Sequence, residues 1–352
     1  MYIPKGVHEV CPKEVITLCN NLTIRGSGIQ SVIKIADGTG PYKAIFGQNF
    51  STDARVENVS FEKFVINQNP GGNPVVSSAT TGSQYVFSLK NFSNAHFNKL
   101  TFRPTTGGNA ISCNGSRSNG EYVDMTCQDV TVEHCRFYRE SPKQEYVDNS
   151  AIYLNCSGVI VSNNKFYSYG DETMRARGCI ETHGGKSVIT GNYSEGYATG
   201  VNIASRAQGK DGINKDFVSM IPSNVTVTGN TFTKVKKGIQ LWVNHPKDNI
   251  KPVAEDWDKE VEMITLENVL IGNNTISVDV SDYEKSQMNY NGISFAGDHK
   301  GNRWVRNLII NANNIIYTGS SANINVEEGV IPKNFLSSYG IGFTIGFVKK
   351  SV

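Results

Sequence analysis

The chain has 352 residues with a formal net charge of +2, and charged residues make up 19% of it. A net charge this close to zero argues against a nucleic-acid-binding surface and against attraction to an anionic membrane. No apolar run reaches the roughly 18 residues of a membrane-spanning helix, so the sequence predicts no membrane span.

The first residues, Met1-Tyr-Ile-Pro-Lys-Gly6, read as the start of a strand. They lack the charged segment followed by an apolar one that marks a secretory signal. We therefore expect no signal peptide here. We also expect residues 1–352 to form a single domain that is part of a longer protein.

The seven cysteines form no Cys-x-x-Cys pair and no regular spacing: Cys11, Cys19, Cys113, Cys127, Cys135, Cys156 and Cys179. An odd number of scattered cysteines argues against a disulfide framework and against a zinc cluster. We expect them to be reduced, small residues of the core. The sequence predicts no metal and no cofactor.

A short phrase recurs along the chain: alternating aliphatic residues, a polar pair that often ends in Asn, and then an aromatic residue or Ile. Weaker copies come first and clearer ones follow, at 21–26, 59–66, 95–102, 130–137, 159–166, 187–193, 225–232, 269–276 and 309–316. A period near 30 residues is typical of one coil of a parallel β-solenoid, three short strands joined by turns, and longer periods carry loops. The repeat therefore predicts an all-β fold with roughly nine to eleven coils.

The same turn of successive coils carries an asparagine, and the predicted set is Asn164, Asn192, Asn230, Asn274 and Asn314. Asn tolerates a left-handed backbone, and its amide can bond to the same Asn one coil away. We therefore predict a ladder of stacked amides at one corner. Asn192-Tyr-Ser and Asn224-Val-Thr, among other sites in the chain, match the glycosylation pattern, but the common register of the predicted asparagines favours the ladder.

A second strand recurs at 151–154, 179–182, 200–203, 238–241, 292–295 and 340–343. Its Ile or Val should point into the core, so alternation sends the next residue outward. The outward positions predict two columns, the first of Tyr153, Glu181, Asn202, Gln240 and Ser294 and the second of Asn155, His183, Ala204, Trp242 and Ala296. We expect both to face solvent in a groove between long loops at 140–149, 168–177, 206–223, 243–263 and 277–291.

Amides, a carboxylate and an aromatic ring suit the hydroxyl groups and apolar face of a sugar. The candidate substrate-binding residues are therefore Tyr153, Asn155, Asn202, Gln240, Trp242 and Arg177. For glycoside hydrolysis, Glu181 would act with Asp171 or Glu172, or with Asp148 one coil earlier. For a lyase, His183 would be the base, and Arg175 or Arg177 would stabilise the anion.

Each candidate catalytic residue also has a non-catalytic interpretation. Glu181 is also explained as a solvated outward residue, and His183 as a cap of the turn at Gly184-Gly185. The acids and arginines of 168–177 are also explained as a polar loop. At the level of the whole protein, the alternatives to an enzyme are a glycan-binding receptor-recognition module without catalysis and a purely structural spacer.

The opening Ile3-Pro-Lys-Gly6, with Asn21–Gly28 and Ser31–Ile35 after it, resembles the first coils of bacteriophage tail-spike members of the right-handed parallel β-helix, or pectin-lyase-like, superfamily. The Glu181-Thr-His-Gly184 phrase resembles phage and bacterial members of the same group. The polygalacturonase motifs and the Asp-Pro-His of alginate epimerases are absent. The resemblance implies a depolymerase that cleaves a bacterial surface polysaccharide or teichoic acid. It also implies a homotrimer and a location in the virion tail or outside the cell.

Overall fold

The computed structural model describes residues 1–13, 15–48, 55–73, 84–105, 108–113, 117–118, 121–122, 127–140, 150–169, 178–208, 218–220, 222–243, 263–281, 290–297, 303–319 and 341–343. Regular structure in these residues consists of strands and a single 3₁₀ turn, Gly28–Gln30. The strands form three large parallel sheets, named sheets A, B and C. No helix in the described residues is long and apolar enough to cross a membrane.

Sheet A contains nine strands: Thr23–Arg25, Val56–Glu62, Phe92–Asn98, Gln128–Glu133, Ser157–Ser162, Ser187–Thr190, Ser223–Thr228, Met263–Gly272 and Arg303–Asn311. Sheet B contains ten: Gly6–Val10, Ser31–Ile35, Val65–Asn67, Thr101–Thr105, Arg136–Glu140, Lys165–Tyr169, Tyr193–Glu195, Thr231–Val235, Thr275–Asp279 and Asn314–Thr318.

The parallel path of sheet C also has ten strands: Ile16–Thr17, Ala44–Gly47, Tyr85–Leu89, Ile111–Cys113, Ser150–Leu154, Gly178–Thr182, Thr199–Gln208, Lys237–Val243, Asn291–Gly297 and Ile341–Phe343. Two antiparallel pairings lie off the three main paths. Val218–Met220 pairs with the end of Thr199–Gln208, and Arg117–Ser118 pairs with Glu121–Tyr122.

Neighbouring strands in each sheet come from consecutive coils, and the chain visits sheets A, B and C in turn. This order confirms the predicted parallel β-helix, and its nine or ten strands per sheet agree with the predicted number of coils. Parallel crossover connections are right-handed in nearly all proteins, because a twisted strand packs back onto its sheet only in that sense.

The core lies inside the coils and is filled by side chains that alternate inward from all three sheets. In sheet B, Phe102, Phe137 and Phe166 stack coil upon coil, with ring centroids 4.6 Å and 4.7 Å apart. All three rings are completely buried. Burying one such side chain contributes about 1.5–3 kcal/mol, so this stack ties adjacent coils together.

The asparagine ladder is present at the corner between sheets A and B. Side-chain amides donate to the carbonyl of the next coil from Asn164 to Asn192 at 3.0 Å, from Asn192 to Asn230 at 2.9 Å and from Asn230 to Asn274 at 3.0 Å. The last link joins Asn274 to Asn313 at 2.9 Å. The predicted position Asn314 is therefore wrong by one residue.

The backbone explains the shift from Asn314 to Asn313. Each ladder residue follows a residue with positive φ, such as Asn273 at 55°, and in the last coil Ala312 takes this place at 49°. Asn314 begins the strand of sheet B instead, and its N–H donates to the carbonyl of Asn274 at 2.8 Å. Two consecutive asparagines made both registers possible in the sequence.

All seven cysteines are free, and five of them are buried as expected. Burial raises the pKa of the Cys127 and Cys135 thiols to about 12, so these groups are neutral at physiological pH. Cys11 and Cys19 are exposed, which corrects the expectation that all seven lie in the core. Both lie in the first coil, whose strands have a neighbouring coil on one side among the described residues.

Candidate functional site

A column of polar side chains follows the outer face of sheet C. Its register pairs Tyr153 with Glu181, Glu181 with Asn202, Asn202 with Gln240 and Gln240 with Ser294. The residues on either side of this column in each strand, such as Ile152 and Leu154, belong to the hydrophobic core. Alternation therefore places the column on the outside, as predicted. We call these five residues the outer column of sheet C.

The outer column is buried, which corrects the prediction of a solvent-facing groove. Glu181 is 3% exposed, Asn202 5%, Gln240 4% and Ser294 2%, and Tyr153 is half-buried. The coil spacing of about 4.8 Å does not by itself cause this burial, because Ile160 and Val188 have the same spacing on the outer face of sheet A and are exposed. Pointing away from the hydrophobic core and being exposed are two different properties at this face.

The most polar part of the column is a cluster of Glu181, His183 and Ser150. His183 Nε2 lies 3.1 Å from Glu181 Oε1, and Ser150 Oγ donates to Glu181 Oε2 at 2.8 Å. Glu181 and His183 are both almost completely buried. Withdrawing a carboxylate from water is unfavourable unless its oxygens are hydrogen-bonded, and here both oxygens have partners.

Ser150 was not among the predicted site residues. It is the first residue of the strand Ser150–Leu154, whereas the repeat located the strand at 151–154. A polar residue immediately before a recurring strand was the available signal. The sequence alone could not show the role of Ser150, because its partner Glu181 lies 31 positions later in the chain.

The ring of Tyr153 packs against His183 with the two ring centroids 5.2 Å apart and the planes at 54°. Asn155 Nδ2 donates to Tyr153 Oη at 3.3 Å, and Asn155 itself is buried. The predicted neighbours of His183 in the preceding coil are therefore in place. Tyr153 and Asn155 lie on the side of the imidazole that faces the preceding coil.

The turn after His183 is made by Gly184, where an added Cβ would lie 1.6 Å from the carbonyl oxygen of Cys156. Only glycine fits so close an approach of two backbones. The carbonyl of Gly184 accepts a hydrogen bond from Ser187 Oγ at 3.2 Å. The His183 ring is directed to Glu181 instead, so the capping interpretation of His183 is not supported.

The buried polar atoms of this face without a hydrogen-bond partner among the described residues include His183 Nδ1, Asn202 Oδ1, Gln240 Nε2 and Ser294 Oγ. Most buried polar groups in proteins are hydrogen-bonded, so a row of unsatisfied atoms is unusual. Gln240 is oriented by Lys237 Nζ, which donates to its Oε1 at 3.4 Å. Each of these unsatisfied atoms would gain a hydrogen bond from a ligand hydroxyl group that reaches it.

Trp242 continues the second predicted column. Thr182 pairs with Ile203, and the following Ala204 pairs with Trp242, which places Trp242 two coils from His183. Two coil spacings amount to about 10 Å, as predicted. The indole is half-buried and so has a part that remains accessible.

Four predicted site residues, Asp171, Glu172, Arg175 and Arg177, lie outside the described residues, as does Asp148. Within the described part of the two columns, Glu181 is the only carboxylate. No group of three potential metal-ligating side chains occurs in the residues that the structure covers. The described chemistry of the site is therefore one carboxylate, one imidazole, and a set of amides and hydroxyls.

No protein-family model and no curated protein matches the chain. Solved structures do match it. The tailspike protein of E. coli bacteriophage HK620 in complex with pentasaccharide has 14% sequence identity and a TM-score of 0.66, covering 97% of this chain and 52% of that one. A mutant of the same tailspike in complex with hexasaccharide has a TM-score of 0.64 at 14% identity, with 97% and 52% of the two chains covered.

The pre-mature gene product 12 of bacteriophage phi29 has 16% identity and a TM-score of 0.52, and the match covers 97% of this chain and 42% of that one. The chain thus spans about half the length of the tailspike chains that it matches. At such low identity the likeness concerns the fold. The chain has the parallel β-helix fold of bacteriophage tailspike proteins.

Proposed function

We propose that this protein is a tailspike-like depolymerase that binds and cleaves a bacterial surface polysaccharide or teichoic acid on the outer face of sheet C. The observation that carries the proposal is the buried cluster of Glu181, His183 and Ser150, with open polar atoms beside it. A carboxylate and an imidazole withdrawn from water at 3.1 Å are a common arrangement for moving a proton during catalysis.

The contact between Glu181 and His183 assigns a role to each. When His183 Nε2 donates its hydrogen to the carboxylate, Nδ1 is left as the acceptor of the neutral ring. Nδ1 is the ring nitrogen with no described partner, so it is the proposed base. Glu181 then orients the ring and stabilises its protonated form, as the carboxylate does in other acid–histidine pairs.

Two cleavage reactions are compatible with this base. In hydrolysis it takes a proton from a water molecule that attacks the anomeric carbon, and the protonated carboxyl group of a second residue gives its proton to the leaving oxygen as the glycosidic C–O bond breaks. Asp148, Asp171 and Glu172 remain the candidates for that second group. In a lyase it removes the proton beside a uronic acid carboxylate, a C=C bond forms as the C–O bond at the next carbon breaks, and the leaving oxygen takes up a proton; Arg175 or Arg177 remains the candidate cation that stabilises the anion.

The rest of the column supplies substrate binding in this proposal. Asn202 Oδ1 accepts from a sugar hydroxyl and Gln240 Nε2 donates to one, so each completes a hydrogen bond that it lacks among the described residues. Trp242 packs on a ring face about 10 Å from His183, a span of two sugar units. The oligosaccharide complexes of the HK620 tailspike support a glycan as ligand.

A second candidate function is a receptor-binding module that holds a glycan without cleaving it. The position of Glu181 as the only carboxylate in the described columns favours this alternative. For the assembly, we propose a homotrimer located in the phage tail, on the basis of the tailspike resemblance.

The test uses the full chain and a panel of purified capsular polysaccharides, lipopolysaccharide O-antigens and teichoic acids. Loss of viscosity reports cleavage. New reducing ends without ultraviolet absorption report hydrolysis of a polysaccharide, new phosphomonoesters report hydrolysis of a teichoic acid, and absorption by an unsaturated uronide reports a lyase. We expect one class of polymer to be cut by the wild type, to remain bound by Glu181→Gln and to resist cleavage by that variant.

The matched control is Glu195→Gln, the same change on the outer face of sheet B, where Glu195 pairs with exposed Lys234. This control should cleave as the wild type does. Undiminished cleavage by Glu181→Gln would refute the assignment of the site. Binding of a polymer that the wild type never cuts would establish the receptor-binding alternative.

A further inference from the structure

Hydrogen-bond donors are concentrated in one part of the outer column of sheet C. Gln240 pairs in register with Ser294 of the next coil, and both side chains are buried. Gln240 Nε2 and Ser294 Oγ have no hydrogen-bond partner among the described residues. An amide nitrogen can only donate, and a hydroxyl group can donate or accept. Two groups that can donate to a ligand therefore lie in adjacent coils, about 4.8 Å apart.

Lys237 fixes the orientation of the Gln240 amide. Its Nζ donates to Gln240 Oε1 at 3.4 Å, and an ammonium group can only donate. The amide atom in contact with Lys237 is therefore the oxygen, and Nε2 forms the other arm. Lys237 begins the strand Lys237–Val243 and is half-buried, so its charge lies at the edge of the outer column. We call Lys237, Gln240 and Ser294 the donor cluster.

The negative charge of sheet C lies apart from the donor cluster. In the described strands of this sheet the charged residues are Glu181, Arg206 and Lys237. Glu181 pairs with Asn202 and Asn202 with Gln240, so the carboxylate is two coils, or about 10 Å, from Gln240. Both carboxylate oxygens of Glu181 have other partners, as described above.

A second ammonium group precedes the donor cluster in the chain. Lys236 Nζ lies 5.3 Å from the centre of the Tyr290 ring. Lys236 and Tyr290 immediately precede the paired strands Lys237–Val243 and Asn291–Gly297. The ring face attracts the cation and holds it at this end of the two strands. Two consecutive lysines make the electrostatic potential more positive at the edge of the column.

We propose that the donor cluster binds an anionic group of the polymer, a carboxylate or a phosphate, and thereby selects acidic surface polymers. Ionised groups of this kind only accept hydrogen bonds, and their bonds from charged donors are the strong ones. One coil away, the unsatisfied atom is an acceptor, Asn202 Oδ1, which suits a sugar hydroxyl group and repels an anion. The change from acceptor to donor along the column determines which part of the polymer lies in each coil.

The position of Trp242 agrees with this assignment. Gln240 and Trp242 are two residues apart on the same side of one strand, a separation of about 6.6 Å. A sugar ring that packs on the accessible part of the indole can therefore direct an anionic substituent to the donor cluster. The bound anion then lies about 10 Å from the cluster of Glu181, His183 and Ser150, in the part of the polymer beyond the bond that is cut.

This inference rests on the proposed glycan-binding face and names the class of polymer, whether or not that polymer is cleaved. Titration calorimetry with the full chain compares three probes: capsular oligosaccharides that contain uronic acids, unsubstituted poly(glycerol phosphate), and neutral O-antigen oligosaccharides. We expect the tightest ligand to be acidic and its affinity to fall as salt is added. A neutral oligosaccharide that binds as tightly as the best acidic probe would overturn the inference, as would a protein that binds no acidic probe.

Carboxyl reduction distinguishes the two sources of the anionic group. It converts each uronic acid to the neutral sugar and leaves the rest of the polymer in place. If the anion is a carboxylate, the affinity should fall by about tenfold or more on reduction. Tight binding of poly(glycerol phosphate), which has no carboxylate, identifies a phosphate instead. A tightly bound uronic acid polymer whose affinity survives reduction would contradict the inference.

The first variant removes the positive charge of the donor cluster. Lys237→Met should weaken binding of the acidic probe by about tenfold or more, whereas Lys237→Arg keeps the charge and should lose less affinity. The matched control is Lys234→Met, which removes an exposed lysine that pairs with Glu195 on the outer face of sheet B. The control changes the net charge equally and should bind as the wild type does. Wild-type affinity in Lys237→Met, or an equal loss in Lys234→Met, would refute the assignment.

The second variant exchanges a donor for an acceptor at nearly constant shape. Gln240→Glu replaces Nε2 with a carboxylate oxygen that repels an anion, so affinity for the acidic probe should fall by about tenfold or more. Gln128→Glu makes the same change at an exposed position of sheet A and should have no effect. Thermal melts verify that each variant is folded. A folded Gln240→Glu variant that binds as the wild type does would contradict the inference.

Cleavage is measured on the same samples, which keeps this inference separate from the proposed depolymerase. Binding of an acidic polymer that requires Lys237 but never leads to cleavage would sustain the inference and reject the depolymerase. Cleavage of a neutral polymer at the same rate by the wild type and by Lys237→Met would sustain the depolymerase and reject the inference.

Discussion

Two buried rows of polar side chains run along this solenoid, and they differ in how their hydrogen bonds are completed. In the asparagine ladder, Asn192 Nδ2 donates to Val161 O and to Asn230 Oδ1, both at 2.9 Å. Its Oδ1 accepts from the backbone and side chain of Asn164, both at 3.0 Å. In the outer column of sheet C, Asn202 Oδ1 and Gln240 Nε2 have no partner among the described residues.

The difference arises from where each row lies on the coil. A ladder residue sits at a corner just after a residue with positive φ, where the turning backbone offers N–H and C=O groups to the side chain. A residue in the middle of a flat strand finds those groups already used by the parallel sheet. Its side chain can bond only to other side chains, water or a ligand, so the first row is structural and the second is suited to binding.

The largest expected effect contrasts one asparagine from each row. Asn192→Ala leaves several buried groups without partners, so it should lower the free energy of unfolding by roughly 3–5 kcal/mol. Asn202→Ala removes no described hydrogen bond of its Oδ1 and should cost about 1 kcal/mol or less. Urea unfolding of both variants measures the contrast. Equal losses would mean that the two rows are structurally alike.

The next effect concerns Glu181. Glu181→Gln should reduce cleavage by about 100-fold or more, because His183 loses the carboxylate that orients its ring and stabilises its protonated form, and should change stability by about 1 kcal/mol. Glutamine keeps an acceptor for Ser150 Oγ, whereas Glu181→Ala leaves Ser150 and His183 unpaired and should be the less stable variant. Initial rates and thermal melts measure both. If Glu181→Gln fails to fold, the cluster of Glu181, His183 and Ser150 is structural, like the asparagine ladder.

A smaller effect is expected for binding at Trp242. Trp242→Ala should weaken binding of a cognate oligosaccharide by about 1–3 kcal/mol, through the loss of aromatic stacking, and should leave the melting temperature nearly unchanged. Titration calorimetry measures the change. Tyr167→Ala is the matched control, because Tyr167 is a half-buried aromatic residue of sheet B that stacks on Tyr138. An equal loss of affinity in Tyr167→Ala would contradict the proposal that the outer face of sheet C binds the oligosaccharide.

The smallest effect extends the ladder by one coil. Cys135 occupies the ladder position before Asn164, and its N–H already donates to Asn164 Oδ1 at 2.8 Å. Its Sγ lies 3.5 Å from the carbonyl of Phe97, where an amide nitrogen would also find an acceptor. Cys135→Asn should therefore raise the free energy of unfolding by up to about 1 kcal/mol. A clear destabilisation would show that the ladder depends on more than corner geometry.

Much of this architecture was readable in the sequence because each coil repeats the same local physics. Alternating aliphatic residues identified the strands, and the asparagines identified a corner, with an error of one residue at Asn313. The outer column was also predicted correctly from Tyr153 to Ser294. These features depend on residues close together in the chain, and the same local pattern occurs in several coils.

The candidate site was predicted less completely, because its contacts join residues of different coils. The bond from Ser150 to Glu181 depends on the register between two strands, and nothing near Ser150 in the chain indicates it. The burial of Glu181 and His183 was likewise missed. Outward orientation follows from period-two alternation, whereas exposure depends on everything that packs nearby.

The sequence by itself determined the coil, the corner that carries the asparagines and the outward residues of one strand, since these follow from alternation and turn chemistry within about thirty residues of chain. Only the tertiary structure decided which polar groups are satisfied, which are left open and which aliphatic residues stay exposed. Those properties depend on register and packing between coils, where a shift of one residue exchanges one neighbour for another and moves a side chain to the opposite face.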